Sequence, residues 1–280
     1  TASIADVVFP ATSWGEHEGV YTSADRGFQR FYKAVEPVGD VKTDWQIISL
    51  MATAMGYPMH YNNTKEIWDE LRELCPIYYG ATYEKMADLA YIQWPCPTED
   101  SPGTQYLYEG GKFDTPNGKG QFYTCEWAPP IDQLSDEFPM VLATVREVGH
   151  YSCRSMTGNC KALAALADEP GYVQLNTEDA KQLGIKDQEL VWIRSRQGKV
   201  ITRAAVSDRP NKGAVYMTYQ WWIGACNELV AENLSPITKT PEYKYCAVCV
   251  ESIKDQAQAE HYVKTEYNNI KRRLREAAEG

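Results

Sequence analysis

Polar and charged side chains crowd into the segment Thr144 to Cys153, which reads TVREVGHYSC. Its polar members include Arg146, Glu147, His150, Tyr151 and Ser152. A half-buried strand would alternate apolar with polar residues, and this segment does not. Arg146 and main-chain N–H groups can hold phosphate oxygens, Ser152 can donate to them, and Gly149 lets a ligand approach the main chain. The segment predicts a site for a phosphate or a heterocycle, with a solvated loop as the alternative.

A second group of such side chains lies nearer the C-terminus. Asn227 follows the pair Trp221-Trp222, and Tyr243-Lys244 comes later. Asn227 offers both a donor and an acceptor, and Lys244 supplies a point charge that suits a phosphate. The alternative interpretation is a turn asparagine and a solvated lysine.

A third group lies near the N-terminus, where Asp25-Arg26 precedes Asp44 at the start of a predicted helix. An acidic residue at a helix N-terminus is stabilising by itself. A carboxylate can also accept both N–H groups of a guanine edge, so Asp44 is a candidate for binding that base.

The elements around the later groups are mostly strands. Alternating patterns predict strands at Met140–Thr144, Tyr172–Leu175, Leu190–Arg194, Lys199–Val206 and Ala214–Thr218. A short helix is predicted over Thr177 to Leu183, with Gly184 ending it. Short strands with one small helix and hairpins favour a β-barrel. The chain closes with a helix, because Ile253, Ala257, Val263, Tyr267, Ile270, Leu274 and Ala277 recur at helical spacing.

The first part of the chain is predicted as an α/β segment. A buried strand at Ile4–Phe9 precedes a glycine-containing loop, and predicted helices follow from Thr43, over Thr64 to Cys75 and around Tyr83 to Ala90. Composition changes near Gln105, so we expect one domain over 1–105 and a mostly-β domain over 106–280. Hairpin turns are predicted at 109–111 and 116–118.

Composition excludes several classes of protein. The 280 residues are 44% apolar and 12% aromatic, which is enough for sizeable cores, and the formal net charge of −10 argues against nucleic acid as a partner. No apolar run approaches the roughly 20 residues of a transmembrane helix. The chain opens at Thr1 without an initiator methionine, so we expect a fragment or a processed chain.

The eight cysteines are too sparse for a disulfide scaffold. Cys246 and Cys249 form a CxxC pair, but strand alternation would place them on opposite faces, and no second pair completes a zinc site. We therefore predict no metal ligands in this chain.

Three ordered elements resemble the molybdopterin oxidoreductases that carry a bis-guanine-dinucleotide molybdenum or tungsten cofactor. The opening ADVVFPATSWGEHEGVYTSADRGFQ resembles the family's ADVVLP…E-x-EG…N-x-ERR-x-Q stretch. TVREVGHYSCRSMTGN resembles its T-x-R…H…S-x-x-T element, and NLSPITKTPEYKYCAV its closing D-P-x-x-x-x-P-x-x-K-x-C-A-V element. The sequence departs from the pattern at His17, where the family has Lys, at Gly27, where it has a second Arg, and at Cys249, where it has a basic residue.

The resemblance implies a fold and a set of cofactor contacts. The second domain would be a double-psi β-barrel-like molybdopterin dinucleotide-binding domain. Asp44 would hold one guanine, Tyr219 and Asn227 a pterin or a ribose, and Tyr243 and Lys244 the other side of the same cofactor. The remaining implied contacts are His17 and the segment that wraps pterin and phosphate: Thr144, Val145, Arg146, Glu147, Val148, Gly149, His150, Tyr151, Ser152 and Cys153. None would be a catalytic acid, base or metal ligand.

The resemblance is closest to the formate dehydrogenases, in particular the cytoplasmic, anaerobic kind that works in formate hydrogenlyase. It implies oxidation of formate to carbon dioxide, with electrons passed to an iron–sulfur subunit or a hydrogenase and no membrane span. The family's 4Fe–4S cysteines, its metal-binding selenocysteine or cysteine and its substrate-binding arginine would all lie upstream of this chain. A nitrate reductase, an NAD-linked formate dehydrogenase, and a stand-alone non-catalytic barrel that binds a nucleotide or a partner remain alternatives.

Overall fold

The computed structural model describes residues 4–89, 91–165 and 169–279. The chain forms two compact units, Thr1–Thr124 and Cys125–Gly280. This division falls later than the boundary at Gln105 that composition predicts. Arg26 in the first unit donates to the main-chain oxygens of Thr104 and Gln105, which ties the predicted boundary to that unit.

The first unit is a small antiparallel sheet with helices. Its elements are β1 (Gly19–Thr22), β2 (Gly27–Phe31), α1 (Asp44–Ala54), α2 (Thr64–Leu74), α3 (Tyr83–Leu89) and β3 (Ile92–Gln93), and the sheet order is β1-β2-β3. Thr43 precedes α1, and its N–H donates to Gln46 Oε1 at 3.0 Å, which satisfies a main-chain donor at the start of the helix. Phe28, Trp68, Met86 and Ile92 form the buried core.

Two expectations for the first unit are wrong. Residues 4–9 form no strand, and Val7 and Phe9 are more than half exposed. A strand needs a hydrogen-bonded neighbour, and the pairing nearest to it in the described residues is an isolated bridge between Ala11 and Lys42. The turns at 109–111 and 116–118 join no strands.

The second unit is a closed six-stranded barrel. Its strands are β4 (Met140–Val145), β5 (Tyr172–Asn176), β6 (Leu190–Arg194), β7 (Lys199–Ser207), β8 (Ala214–Thr218) and β9 (Cys246–Ser252), and their order around the barrel is β4-β8-β5-β7-β6-β9. The pairs β4–β8 and β5–β7 are parallel, and the other neighbours are antiparallel. Two parallel pairs in a barrel bring strand ends from distant parts of the sequence to one rim.

Helices complete the second unit: α4 (Lys161–Ala164), α5 (Thr177–Leu183) and α6 (Gln256–Glu279). Gly184 ends α5 in the left-handed conformation, with φ of 66°, as its position predicts. The barrel interior is filled by Leu142, Leu175, Ile193, Met217 and Val248 among others. The helix α6 packs against the outside of the barrel through Ala259 and Val263.

The predicted fold class, an α/β segment followed by a mostly-β barrel domain with a C-terminal helix, is confirmed. In the described ranges, no helix combines the length and the apolar character needed to cross a membrane.

Candidate cofactor-binding site

Three strand ends meet at one rim of the barrel. Because β4 and β8 run parallel, with Val145 opposite Thr218, their carboxyl ends lie together. Because β9 runs antiparallel to β4, with Cys246 opposite Leu142, its amino end lies at the same rim. The residues that leave β4 and β8 and those that enter β9 are therefore brought side by side.

A cavity of about 720 Å³ opens at this rim. The predicted site residues that line it are Thr144, Arg146, Tyr219, Asn227, Tyr243 and Lys244. The sequence predicted these residues in separate segments, and the barrel topology brings them together. The other lining residues are Val230, Ala231, Glu232, Leu234 and Pro241, which the sequence did not single out.

The cavity carries two cationic side chains. Neither Arg146 nor Lys244 forms an ion pair with any residue that the structure describes. Lys244 Nζ donates to the main-chain oxygen of Thr144, and Thr144 N donates to the main-chain oxygen of Tyr243 at 3.3 Å. One carboxylate, Glu232, also lines the cavity. Cations without ion-pair partners in the described residues, beside aromatic and amide groups, suit an anionic, partly aromatic ligand.

The rest of the predicted segment lies beside the cavity and does not line it. His150 is buried, and its Nδ1 lies 3.1 Å from Thr157 Oγ1. Val148, Tyr151 and Cys153 are exposed, whereas Val145, Glu147, Gly149 and Ser152 are intermediate. Ser152 has a φ of 48°, an uncommon value for a serine.

Several buried polar atoms around this segment have no hydrogen-bond partner in the described structure. They are Glu147 Oε2, His150 Nε2, Thr218 Oγ1 and Trp221 Nε1. Buried polar atoms in native proteins normally have partners, so such a group indicates room for a polar ligand or water. Burial raises the pKa of Glu147, and the charges of His150 and Arg154 partly offset that rise.

The first unit brings its own predicted residues together. His17 and Asp44 both line a cavity of about 420 Å³. Nδ1 of His17 donates to the main-chain oxygen of Ser13 at 2.9 Å, so Nε2 is the ring nitrogen that remains for a ligand. Asp44 is exposed in the first turn of α1, so its carboxylate is available to a ligand as well as to the helix terminus.

Arg26, at the family's paired arginines, has a structural role in this chain. It adopts a φ of 68°, and its guanidinium donates to the main-chain oxygens of Trp94, Thr104 and Gln105. A Cβ atom at Gly27 would lie 2.0 Å from the ring of Tyr91. Tyr91 therefore occupies the space that a second arginine would need.

Replacing Gly27 by alanine is expected to lower the free energy of unfolding by about 1–3 kcal/mol, because the Tyr91 ring must move. Adding Tyr91→Ala to Gly27→Ala should remove the clash, so the double variant should lose less stability than the two single losses combined. Gly15→Ala is the matched control, since nothing lies within 4 Å of its Cβ position. Urea unfolding of the four variants measures this coupling, and strict additivity would contradict it.

The CxxC pair is not arranged as a metal site. Cys246 is buried in the barrel core, whereas Cys249 is half-buried, in agreement with the predicted alternation. Burial raises the pKa of Cys246 to about 12, and a protonated thiol is a poor metal ligand. Among the residues described, no cluster of three or more His, Cys, Asp or Glu side chains could hold a metal ion.

Comparison with known families agrees with this geometry. Residues 140–247 match the molydopterin dinucleotide binding domain, and residues 1–54 match the molybdopterin oxidoreductase family. The first match contains the barrel rim and the cavity, and the second contains His17 and Asp44. The predicted dinucleotide-binding domain is therefore confirmed.

Curated relatives are longer than this chain. Formate dehydrogenase H of Escherichia coli strain K12 is 76% identical over an alignment of 280 positions that covers 99% of this chain and 39% of that protein. F420-dependent formate dehydrogenase 2 subunit alpha of Methanococcus maripaludis is 39% identical over 255 residues, 90% of this chain and 37% of that protein. The chain thus spans about two fifths of the length of the curated relatives it matches.

Among solved structures, acetylene hydratase from Pelobacter acetylenicus matches with a TM-score of 0.65 at 17% identity, over 88% of this chain and 38% of that one. At that identity the match supports the fold alone. The two family matches and the identity to formate dehydrogenase H together place this chain in the molybdopterin oxidoreductase family.

Proposed function

We propose that this chain is the part of a formate dehydrogenase that cradles a molybdopterin guanine dinucleotide. The observation that carries the proposal is the cavity at the barrel rim, where Arg146 and Lys244 stand without ion-pair partners among the described residues. The family match over 140–247 supports a dinucleotide as the ligand. The identity of 76% to formate dehydrogenase H supports formate as the substrate of the whole protein.

The residues of this chain would bind and orient the cofactor. Arg146 can donate two parallel hydrogen bonds to phosphate oxygens, Lys244 adds a point charge, and Asn227 can pair with a ribose or pterin edge. In the first unit, Asp44 would accept from a guanine, with His17 beside it. The bound molybdenum or tungsten centre would supply the two-electron chemistry of formate oxidation. Glu147, His150 and Ser152 would contribute from the segment beside the cavity.

The partners follow from the same proposal. Oxidation of formate to carbon dioxide releases two electrons and a proton, so the protein needs an acceptor such as an iron–sulfur subunit, with a hydrogenase as a further partner. A 4Fe–4S cluster and a selenocysteine or cysteine metal ligand would belong to parts of the protein outside this sequence. We infer a cytoplasmic location from the resemblance to the formate dehydrogenase of formate hydrogenlyase.

The test uses the protein expressed in, and purified from, its natural host under anaerobic conditions. We expect molybdenum or tungsten in the purified protein, GMP released from it by acid, and reduction of a viologen dye that depends on formate. A nitrate reductase would instead oxidise reduced viologen when nitrate is added, and a stand-alone barrel would contain no metal and react with neither formate nor nitrate. Absence of both GMP and metal would contradict the proposal.

A further inference from the structure

The segment that leaves β4 has few hydrogen bonds of its own. After Val145 it joins no strand, and its internal bonds are confined to the turn at 151–154 and to contacts with Thr157. A loop so weakly tied to itself would sample many conformations. A binding site on such a loop needs a second group of residues to hold it in place.

Gln220 supplies that support. Gln220 lies between the end of β8 and the tryptophans at 221 and 222, and its side chain is almost fully buried. Gln220 Oε1 accepts from Glu147 N at 2.9 Å, and Nε2 donates to the main-chain oxygen of His150 at 2.7 Å. One amide therefore binds the loop at both ends of the stretch 147–150.

Two residues that line the cavity are direct sequence neighbours of the residues that form this contact. Arg146 precedes Glu147 in the chain, and Tyr219 precedes Gln220. Arg146 and Tyr219 leave neighbouring parallel strands and both line the cavity. The bond from Glu147 N to the Gln220 side chain consequently sets the separation of the two cavity residues.

A second contact reinforces the first. Arg154, at the far end of the loop, donates through Nε to the main-chain oxygen of Gln220 at 2.8 Å and lies 4.2 Å above the ring of Trp221. Arg154 also pairs with Glu169, which accepts from the N–H groups of Trp222 and Ile223 at 3.1 and 3.0 Å. The main chain at 220–223 is thus held from both sides.

We propose that Gln220 is a positioning residue of the cofactor site, which holds Arg146 against Tyr219 by clamping the main chain of residues 147 and 150. The inference rests on the proposed function, because it assigns Gln220 a role in retaining the dinucleotide. Gln220 does not line the cavity and would not touch the cofactor there.

The test compares two glutamines with the same bonding pattern. Gln256 accepts from Leu190 N and donates to Leu190 O, so it clamps α6 to β6 as Gln220 clamps the loop. Gln220→Leu removes a buried amide and Gln256→Leu a half-buried one, each with its main-chain bonds, and both should lower the urea midpoint. Gln220→Met keeps the length of the side chain and is used if Gln220→Leu does not fold.

The readout is the rate at which the folded protein loses the cofactor during dialysis, followed as the metal and the acid-releasable GMP that remain in each chain. We expect Gln220→Leu or Gln220→Met to raise this rate roughly tenfold, as is usual when a group that orients a ligand is removed, and Gln256→Leu to leave it unchanged. Equal rates in the Gln220 and Gln256 variants would overturn the positioning role alone. Wild-type protein without GMP would overturn the proposed function, and the positioning role with it.

Discussion

Replacing Arg154 by methionine is expected to lower the free energy of unfolding by about 3–5 kcal/mol. The Glu169 side chain that it faces is only 1% exposed, so the variant removes the guanidinium from a buried carboxylate. The hydrogen bond to the main chain of Gln220 is lost as well. Urea unfolding followed by tryptophan fluorescence measures the change, because Trp221 lies under the guanidinium.

The loss should grow with pH. Burial already raises the pKa of Glu169 above its ordinary value of 4.5, and removing the guanidinium raises this pKa further. A folded state that binds the proton more tightly than the unfolded state loses stability as pH rises from the unfolded pKa through the folded one. The variant should therefore be closest to wild type near pH 4.5 and fall behind as the carboxylate ionises. A deficit that is constant across this range would contradict the prediction.

Two control variants separate the buried charge from general damage. Adding Glu169→Gln to Arg154→Met should recover part of the loss, because the buried charge is gone and the one amide oxygen can still accept from either Trp222 N or Ile223 N. Lys212→Met breaks an exposed pair with Glu178 and should cost no more than about 1 kcal/mol. If the double variant were as unstable as Arg154→Met, the pair would not be the source of the loss.

Local patterns in the sequence predicted the barrel elements well. The strands Leu190–Arg194 and Ala214–Thr218 and the helix Thr177–Leu183 have the bounds that alternation and capping indicate. Each of these has one buried face, so its pattern is strong. The apolar run Ile4–Phe9 was wrongly predicted as a strand, because an apolar run does not indicate whether a neighbouring strand is present to pair with it.

The sequence did not predict the hairpin formed by β1 and β2, because its strands are short and lie in a stretch with polar and glycine residues. The runs on either side of Ser23 to Arg26 are nevertheless a hairpin signal.

For the site, the sequence identified residue types in separate segments. That Arg146, Tyr219 and Lys244 meet at one rim depends on the parallel pairing of β4 with β8, which no local pattern encodes. Gln220 was missed because its burial depends on partners far away in sequence.

The largest effect on binding is expected at the cavity cations. A protein with a formal charge of −10 repels an anionic dinucleotide at long range, so local cations must overcome that field. Loss of one charge-assisted hydrogen bond typically costs about 1.5–3 kcal/mol, or roughly tenfold to a hundredfold in affinity. Arg146→Lys should show a loss of this kind, because lysine cannot hold two phosphate oxygens at once. Lys244→Ala should do so as well, and its loss also frees the Thr144 oxygen.

The two variants are made singly and together in the protein expressed in its natural host, and GMP and metal per chain are measured in each. Lys212→Ala removes one exposed cation away from the cavity and is the control for net charge. Because Arg146 and Lys244 both line one cavity, their effects on a shared dinucleotide should combine, and the double variant should retain almost none of it. If both cations were ordinary solvated side chains, each change would alter stability by no more than about 0.5 kcal/mol and leave occupancy intact. Full cofactor occupancy in the double variant would show that these cations do not form an anion site at the barrel rim. The main support for placing the dinucleotide there would then be lost.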